Sequence, residues 1–256
     1  MLAVNKNGGT DSVRSSHIVG AFDAELQGLS RRIAAMGGLA ERMVEEAAHA
    51  LASGEAPLAR KVVESDEALD LAQRELDDAA VTMLARRQPV SSDLHEIIAA
   101  IRIASELERV GDLAKNIAKR VGALGSGDLP PGFAHGLRAL AEAALFQLKD
   151  VLDAYAARAT DALHAMRERD REIDRVFTSL FGDLLAWMST DPHSVEDATH
   201  LLFCIKNLER IGDHATNIAE TVFHMMTGEA MPPERPKDDR SHGMLAAEGE
   251  PLRRIG

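Results

Sequence analysis

Four pairs of carboxylates stand four residues apart in this sequence: Asp66 and Asp70, Glu108 and Asp112, Asp170 and Asp174, Glu209 and Asp213. On a helix that spacing puts both acids of a pair on one face, where like charges cost about 0.2–0.5 kcal/mol per pair. A bound cation would remove that cost. Oxygen-only donors suit hard or borderline ions, divalent or trivalent: magnesium, manganese, iron or zinc. The plainer alternative is a solvated acidic face balanced by Arg109 and Arg210, which lie beside the pairs. Spacing alone leaves both readings open.

The remaining candidates carry less. Glu46 and His49 have the E-x-x-H spacing of di-iron carboxylate bundles, but such sites need two motifs and two further glutamates. Asp161/His164 and Asp197/His200 are similar in spacing and do not sit at equivalent positions, so chance helical spacing accounts for all three. No nucleophile elbow or Gly-rich phosphate loop is present. Cys204 lies in the apolar run LLFCI and reads as a core thiol.

The elements that must position the acids are helices. Aromatic residues make up only 4% of the chain, and strands draw on aromatic and β-branched residues. A first helix is expected from about Ser16 to Leu51, ended by Ser53-Gly54. A second starts near Pro57, a residue suited to a first turn, and ends before Pro89. In it Val62, Leu69, Leu76 and Met83 recur every seven residues. A third starts at Ser92-Asp93, where Asp93 and Glu96 resemble a capping box. A fourth runs from Phe133 to Ala157 and a fifth from Asp161 to Met188. Asp191-Pro192 starts a sixth, which ends near Thr227-Gly228.

These helices repeat. Glu108–Ala118 reads ERVGDLAKNIA and Glu209–Ala219 reads ERIGDHATNIA, identical at 8 of 11 positions. Upstream, Asp66–Asp70 matches Asp170–Asp174. The expected fold is therefore all-α, two tandem three-helix bundles. A loose N-terminus covers 1–15, the first bundle 16–122, a linker 123–132, the second bundle 133–228 and a disordered tail 229–256. The linker is rich in Gly and Pro.

The repeat also orients the acids. Leu107, Val110, Ala114, Ile117 and Val121 form one packing seam, and Leu208, Ile211, Ala215, Ile218 and Val222 its copy. At about 100 degrees per residue, Glu108, Asp112, Glu209 and Asp213 fall well outside those seams. The acids are thus expected on the outer surface of each bundle, with Asp66/Asp70 facing Glu108/Asp112 and Asp170/Asp174 facing Glu209/Asp213. Asn116 and Asn217 extend the acidic rows by a turn. Gly111 and Gly212 each sit between two acids, at a cost of about 1 kcal/mol relative to Ala; close packing of a neighbouring helix is one reason, room for a ligand the other. His214 replaces Leu113 and is expected to be peripheral.

A net charge of −12 argues against nucleic acid as a partner. One cysteine excludes an internal disulfide and suits a reducing compartment. The opening MLAVNKNGGTDSV has no apolar run of signal length, and no stretch approaches the ~18 apolar residues of a span. A membrane role would come only through partners.

LERVGDLAKNIA and LERIGDHATNIA resemble the paired signature of the PhoU family. His17–Gly37 is similar to that family's first helix, and the turn Ala85–Pro89 to its second connection, so the resemblance covers about residues 16–228. It implies a cytoplasmic, non-enzymatic protein of two three-helix bundles that represses the phosphate-starvation response when phosphate is plentiful. It further implies contact with the phosphate ABC transporter ATPase and with a sensor histidine kinase, and commonly a homodimer. Several family members hold iron or zinc on E/D-x-x-x-D motifs; carried over, these are Asp66, Asp70, Glu108, Asp112, Asp170, Asp174, Glu209 and Asp213. The alternatives are a carboxylate-cluster metalloenzyme and a metal buffer. Catalysis favours a water-restricted pocket, which an outer acidic face does not supply.

Overall fold

Helix boundaries follow the breakers in the sequence. The computed structural model describes residues 8–89, 92–124, 129–130 and 132–231, with side chains except at 8–21, 161–165, 167 and 168. Six helices result: α1 Gly8–Ser53, α2 Ala56–Arg87, α3 Ser92–Val121, α4 Phe133–Ala157, α5 Asp161–Thr190 and α6 Val195–Thr227. Among the described residues there is no strand.

α1 begins at Gly8 rather than Ser16, taking in half of the segment expected to be loose. No proline interrupts the chain between Gly9 and Leu51. Residues 1–7, 125–128, 131 and 232–256 of the expected termini and linker lie outside the described residues. α2 ends on Gln88, which turns left-handed at φ 47° just before Pro89. Asp191 does cap, accepting a hydrogen bond from the His193 N–H at 3.0 Å, but it starts a 3-10 turn over Pro192–Ser194 that leads into α6. Glu96 does not serve a capping box through its Oε1, which accepts from Arg158 Nη2 at the end of α4 (2.5 Å). Gly228 closes α6 at φ 73°, a conformation that glycine adopts without a Cβ penalty.

α1, α2 and α3 pack together as one bundle, and α4, α5 and α6 as the other. The bundles also join, α3 against α6 and α1 against α4, so one core runs through both. The central helices are consequently enclosed on several sides. Leu107, Val110, Ala114, Ile117, Leu208, Ile211, Ala215 and Ile218 are all fully buried. At about 25 cal/mol per Å² of apolar surface, burial at this shared seam resists separation of the halves.

Cys204 sits in that core, fully buried, and burial pushes its thiol up to about 12. The thiolate is the reactive form. Ellman's reagent at about pH 8 should therefore find no thiol in the native protein and one per chain after denaturation. Rapid reaction of the native chain would show that α6 opens at that point.

Candidate metal-binding carboxylate clusters

The register of α2 on α3 is fixed by Gly111. A Cβ there would overlap the Leu69 side chain. In the second bundle a Cβ on Gly212 would lie 2.8 Å from Ile173 Cδ1. Both glycines thus serve close helix packing, and in the first bundle the same register brings the acids of neighbouring helices together.

In the first bundle the four acids do meet. The Glu108 carboxyl is held above its ordinary range by burial first, and then by Asp112, Asp70 and Asp66, with a hydrogen bond to Asp112. The cluster is not on the outer surface, however. Asp66 is 8% exposed, and Asp70, Glu108 and Asp112 are half-buried. In the second bundle Asp174 and Glu209 are each 3% exposed, with Asp170 and Asp213 half-buried. The expected exterior placement fails for a geometric reason. α3 packs against α1, α2 and α6, and α6 against α3, α4 and α5. A residue turned away from one seam therefore meets the next neighbour, wholly for Glu209 and only in part for Asp112, whose side chain stays 44% exposed. The acids occupy the grooves between α2 and α3 and between α5 and α6.

The counter-charges are not the arginines expected. Arg109 and Arg210 are exposed. Lys115, its side chain 18% exposed, places Nζ 2.5 Å from both Asp66 Oδ2 and Asp112 Oδ1. These two carboxylates hold its ammonium well above the ordinary lysine range against the opposing effect of burial. The sequence held a signal for it: Lys115 is three residues beyond Asp112 and seven beyond Glu108, on the same helix face.

The second copy differs at that position. Thr216 stands where the first has Lys115. Its hydroxyl lies 3.5 Å from Asp170 Oδ1 and 3.3 Å from the Gly212 carbonyl, and it accepts from Gln147 Nε2 at 2.9 Å. Gln147 is fully buried on α4. Glu209 is met by Lys206 at 2.9 Å, three residues earlier on α6, and Lys206 also lies over the Phe177 ring. Each cluster thus carries a lysine, placed by unrelated positions of the repeat.

The seam between repeats holds a polar contact that sequence reasoning missed. Glu106 Oε2 on α3 lies 2.7 Å from His214 Nδ1 and accepts from Asn217 Nδ2 at 3.0 Å, both on α6. His214 is 7% exposed and so is buried rather than peripheral. The Glu106 carboxyl is drawn below its ordinary range by the His214 and Asn217 hydrogen bonds, which outweigh a larger opposing effect of burial. The clue was the mismatch of the repeats, since the equivalents of Glu106 and His214 are Asn207 and Leu113. Of the E-x-x-H candidates, Glu46 pairs with Lys61, His49 with Glu55, and His200 with Arg120. The side chains of Asp161 and His164 lie outside the described residues.

Among the described residues, no three His, Cys, Asp or Glu side chains are arranged to hold a metal ion as they stand. No described helix is long and apolar enough to cross a membrane.

A family model described as PhoU domain matches residues 33–121 and 137–222. A relative from Rhizobium meliloti (strain 1021), named phosphate-specific transport system accessory protein PhoU homolog, is 54% identical over 224 residues, 88% of this chain and 94% of that protein. A relative of the same name from Caulobacter vibrioides (strain NA1000 / CB15N) is 41% identical over 225 residues, covering 88% and 98%. The crystal structure of PhoU from Pseudomonas aeruginosa superposes with a TM-score of 0.77 at 34% identity, over 81% of this chain and all of that one.

Proposed function

This chain belongs to the PhoU family, and on that premise we propose that it is a negative regulator of phosphate uptake and of the phosphate-starvation response. The observation that carries this is the doubled ERxGDxAxNIA segment, carried on α3 of one bundle and α6 of the other. The names of the relatives support an accessory role beside a phosphate transport system. In this reading the protein is cytoplasmic, acts as a homodimer and adaptor rather than an enzyme, and touches the transporter ATPase and the sensor histidine kinase. Contact with the membrane then runs through those partners, which suits helices that are amphipathic and not membrane-spanning.

The carboxylate clusters suit a cation. The donor set of the first is all oxygen, and Glu108 is raised by burial and then by its acidic neighbours even with Lys115 in place. The cluster is short of positive charge, and that deficit is what a hard or borderline ion supplies. Asp66, Asp70, Glu108 and Asp112 would hold an ion in the first bundle, Asp170, Asp174, Glu209 and Asp213 in the second. Such an ion would tie α2 to α3 or α5 to α6, stiffening each bundle face.

Deleting the gene tests the regulatory reading. Phosphate-starvation genes should then be expressed in phosphate-rich medium, and the restored chain should silence them. Normal repression without the protein rejects the proposal.

A further inference from the structure

The seam between the repeats ends in two histidines. His95, in the first turn of α3, and His224, in the last turn of α6, lie with ring centroids 5.5 Å apart and planes tilted by 50°. Two imidazoles sharing one tetrahedral ion, with Zn–N of about 2.0–2.1 Å, bring their ring centres to roughly 5 Å. The observed separation is close to that value.

A second contact prepares one of the rings. His224 Nδ1 donates to the Glu229 carbonyl at 3.3 Å. That carbonyl is itself held in place, because Gly228 turns left-handed and the Glu229 N–H donates to Thr227 Oγ1 at 3.1 Å. With its proton on Nδ1, His224 keeps the lone pair on Nε2. Metal-ligating histidines are commonly set up this way, the second nitrogen tied to a carbonyl that fixes the tautomer.

We propose that His95 and His224 form a two-imidazole site for a borderline divalent ion of the zinc or nickel class, with water in the remaining coordination positions. Imidazole suits these ions better than magnesium or calcium. The site would pin the first turn of one repeat to the last turn of the other. It uses nitrogen donors at the end of the seam, so it stands or falls separately from the carboxylate clusters and from the regulatory reading.

The test is calorimetric titration of Zn2+ into the full chain carrying Glu108→Ala, Asp112→Ala, Glu209→Ala and Asp213→Ala, which takes away two of the four acids of each carboxylate cluster. One zinc site should remain. Adding His95→Gln or His224→Gln should weaken it at least about tenfold, since losing even an outer partner of a ligand costs about 10–100-fold. Absence of zinc binding in this background, or binding indifferent to both histidines, overturns the proposal. A second measurement uses the unaltered chain in excess Mg2+, following the imidazole nitrogens by NMR. Zn2+ should shift the Nε2 resonances of His95 and His224, and unmoved resonances there overturn the proposal equally.

Discussion

Lys115→Thr, which writes the second copy's residue into the first, is expected to destabilise the protein by about 2 kcal/mol near pH 7 in the presence of EDTA. The figure lies between two limits. Breaking a fully buried ion pair costs about 3–5 kcal/mol, and an exposed pair contributes about 0–1 kcal/mol. Lys115 falls between them, with 18% of its side chain exposed and two carboxylate oxygens at 2.5 Å, one of them on the more exposed Asp112. Without it, Asp66, Asp70, Glu108 and Asp112 share one groove with no ammonium between them. Urea denaturation of both proteins measures the difference, and equal stability in EDTA would show that Lys115 is not the counter-charge of this cluster.

The pH dependence of that variant has a definite sign. The folded-state pKa of Glu108 already lies above its ordinary value. An acid raised in this way binds its proton more tightly in the fold, so it opposes folding at pH values above its folded pKa and ceases to do so below its unfolded value of about 4.3. Removing the ammonium strengthens that opposition. The gap between variant and parent should therefore be widest at neutral pH and narrow in acid. Divalent cations should also narrow it at neutral pH, because an ion that binds only the folded state stabilises it by mass action. The first cluster would then have exchanged a built-in cation for a borrowed one.

The helices were legible because their punctuation is local. Pro57, Pro89, Pro192 and Gly228 mark ends that any neighbouring fold would respect. The pairing of Asp66/Asp70 with Glu108/Asp112 was legible for a related reason, since a repeat of matched positions implies a matched register. The depth of the acids was not. A helical wheel shows which residues leave one seam, but it does not show how many neighbours surround the helix. α3 and α6 each meet three others, so Glu209 ends at 3% exposure on a face that the wheel places outside. Lys115 breaks the repeat, so it does not stand out among the positions that the two copies share. His214 hides for the converse reason: a difference between copies carries no signal of burial by itself. It marks the surface where the copies meet each other, which repeat symmetry alone does not describe.

That surface makes the second large prediction. Glu106→Ala should cost about 2–3 kcal/mol, because it strands the buried His214 and leaves Asn217 without its acceptor, and an unsatisfied buried group costs about 1–3 kcal/mol, more when charged. Glu106→Gln keeps an oxygen for both donors and should cost roughly half as much. The sign with pH is opposite to that at Glu108. The folded-state pKa of Glu106 is lowered, so its contribution is complete above the unfolded value of about 4.3 and disappears as pH falls through the lower folded value. The parent should lose its advantage over Glu106→Gln in that acid window, and a gap unchanged down to pH 2 would count against the Glu106 carboxylate as the acceptor at this contact. Unfolding should nonetheless stay a single transition in both variants. Leu107, Val110, Ile211 and Ala215, on the same two helices, belong to one continuous apolar core, and that burial, rather than one polar pair, couples the two repeats. If Glu106→Ala instead unfolds in two steps, the polar contact itself is what makes the halves one cooperative unit.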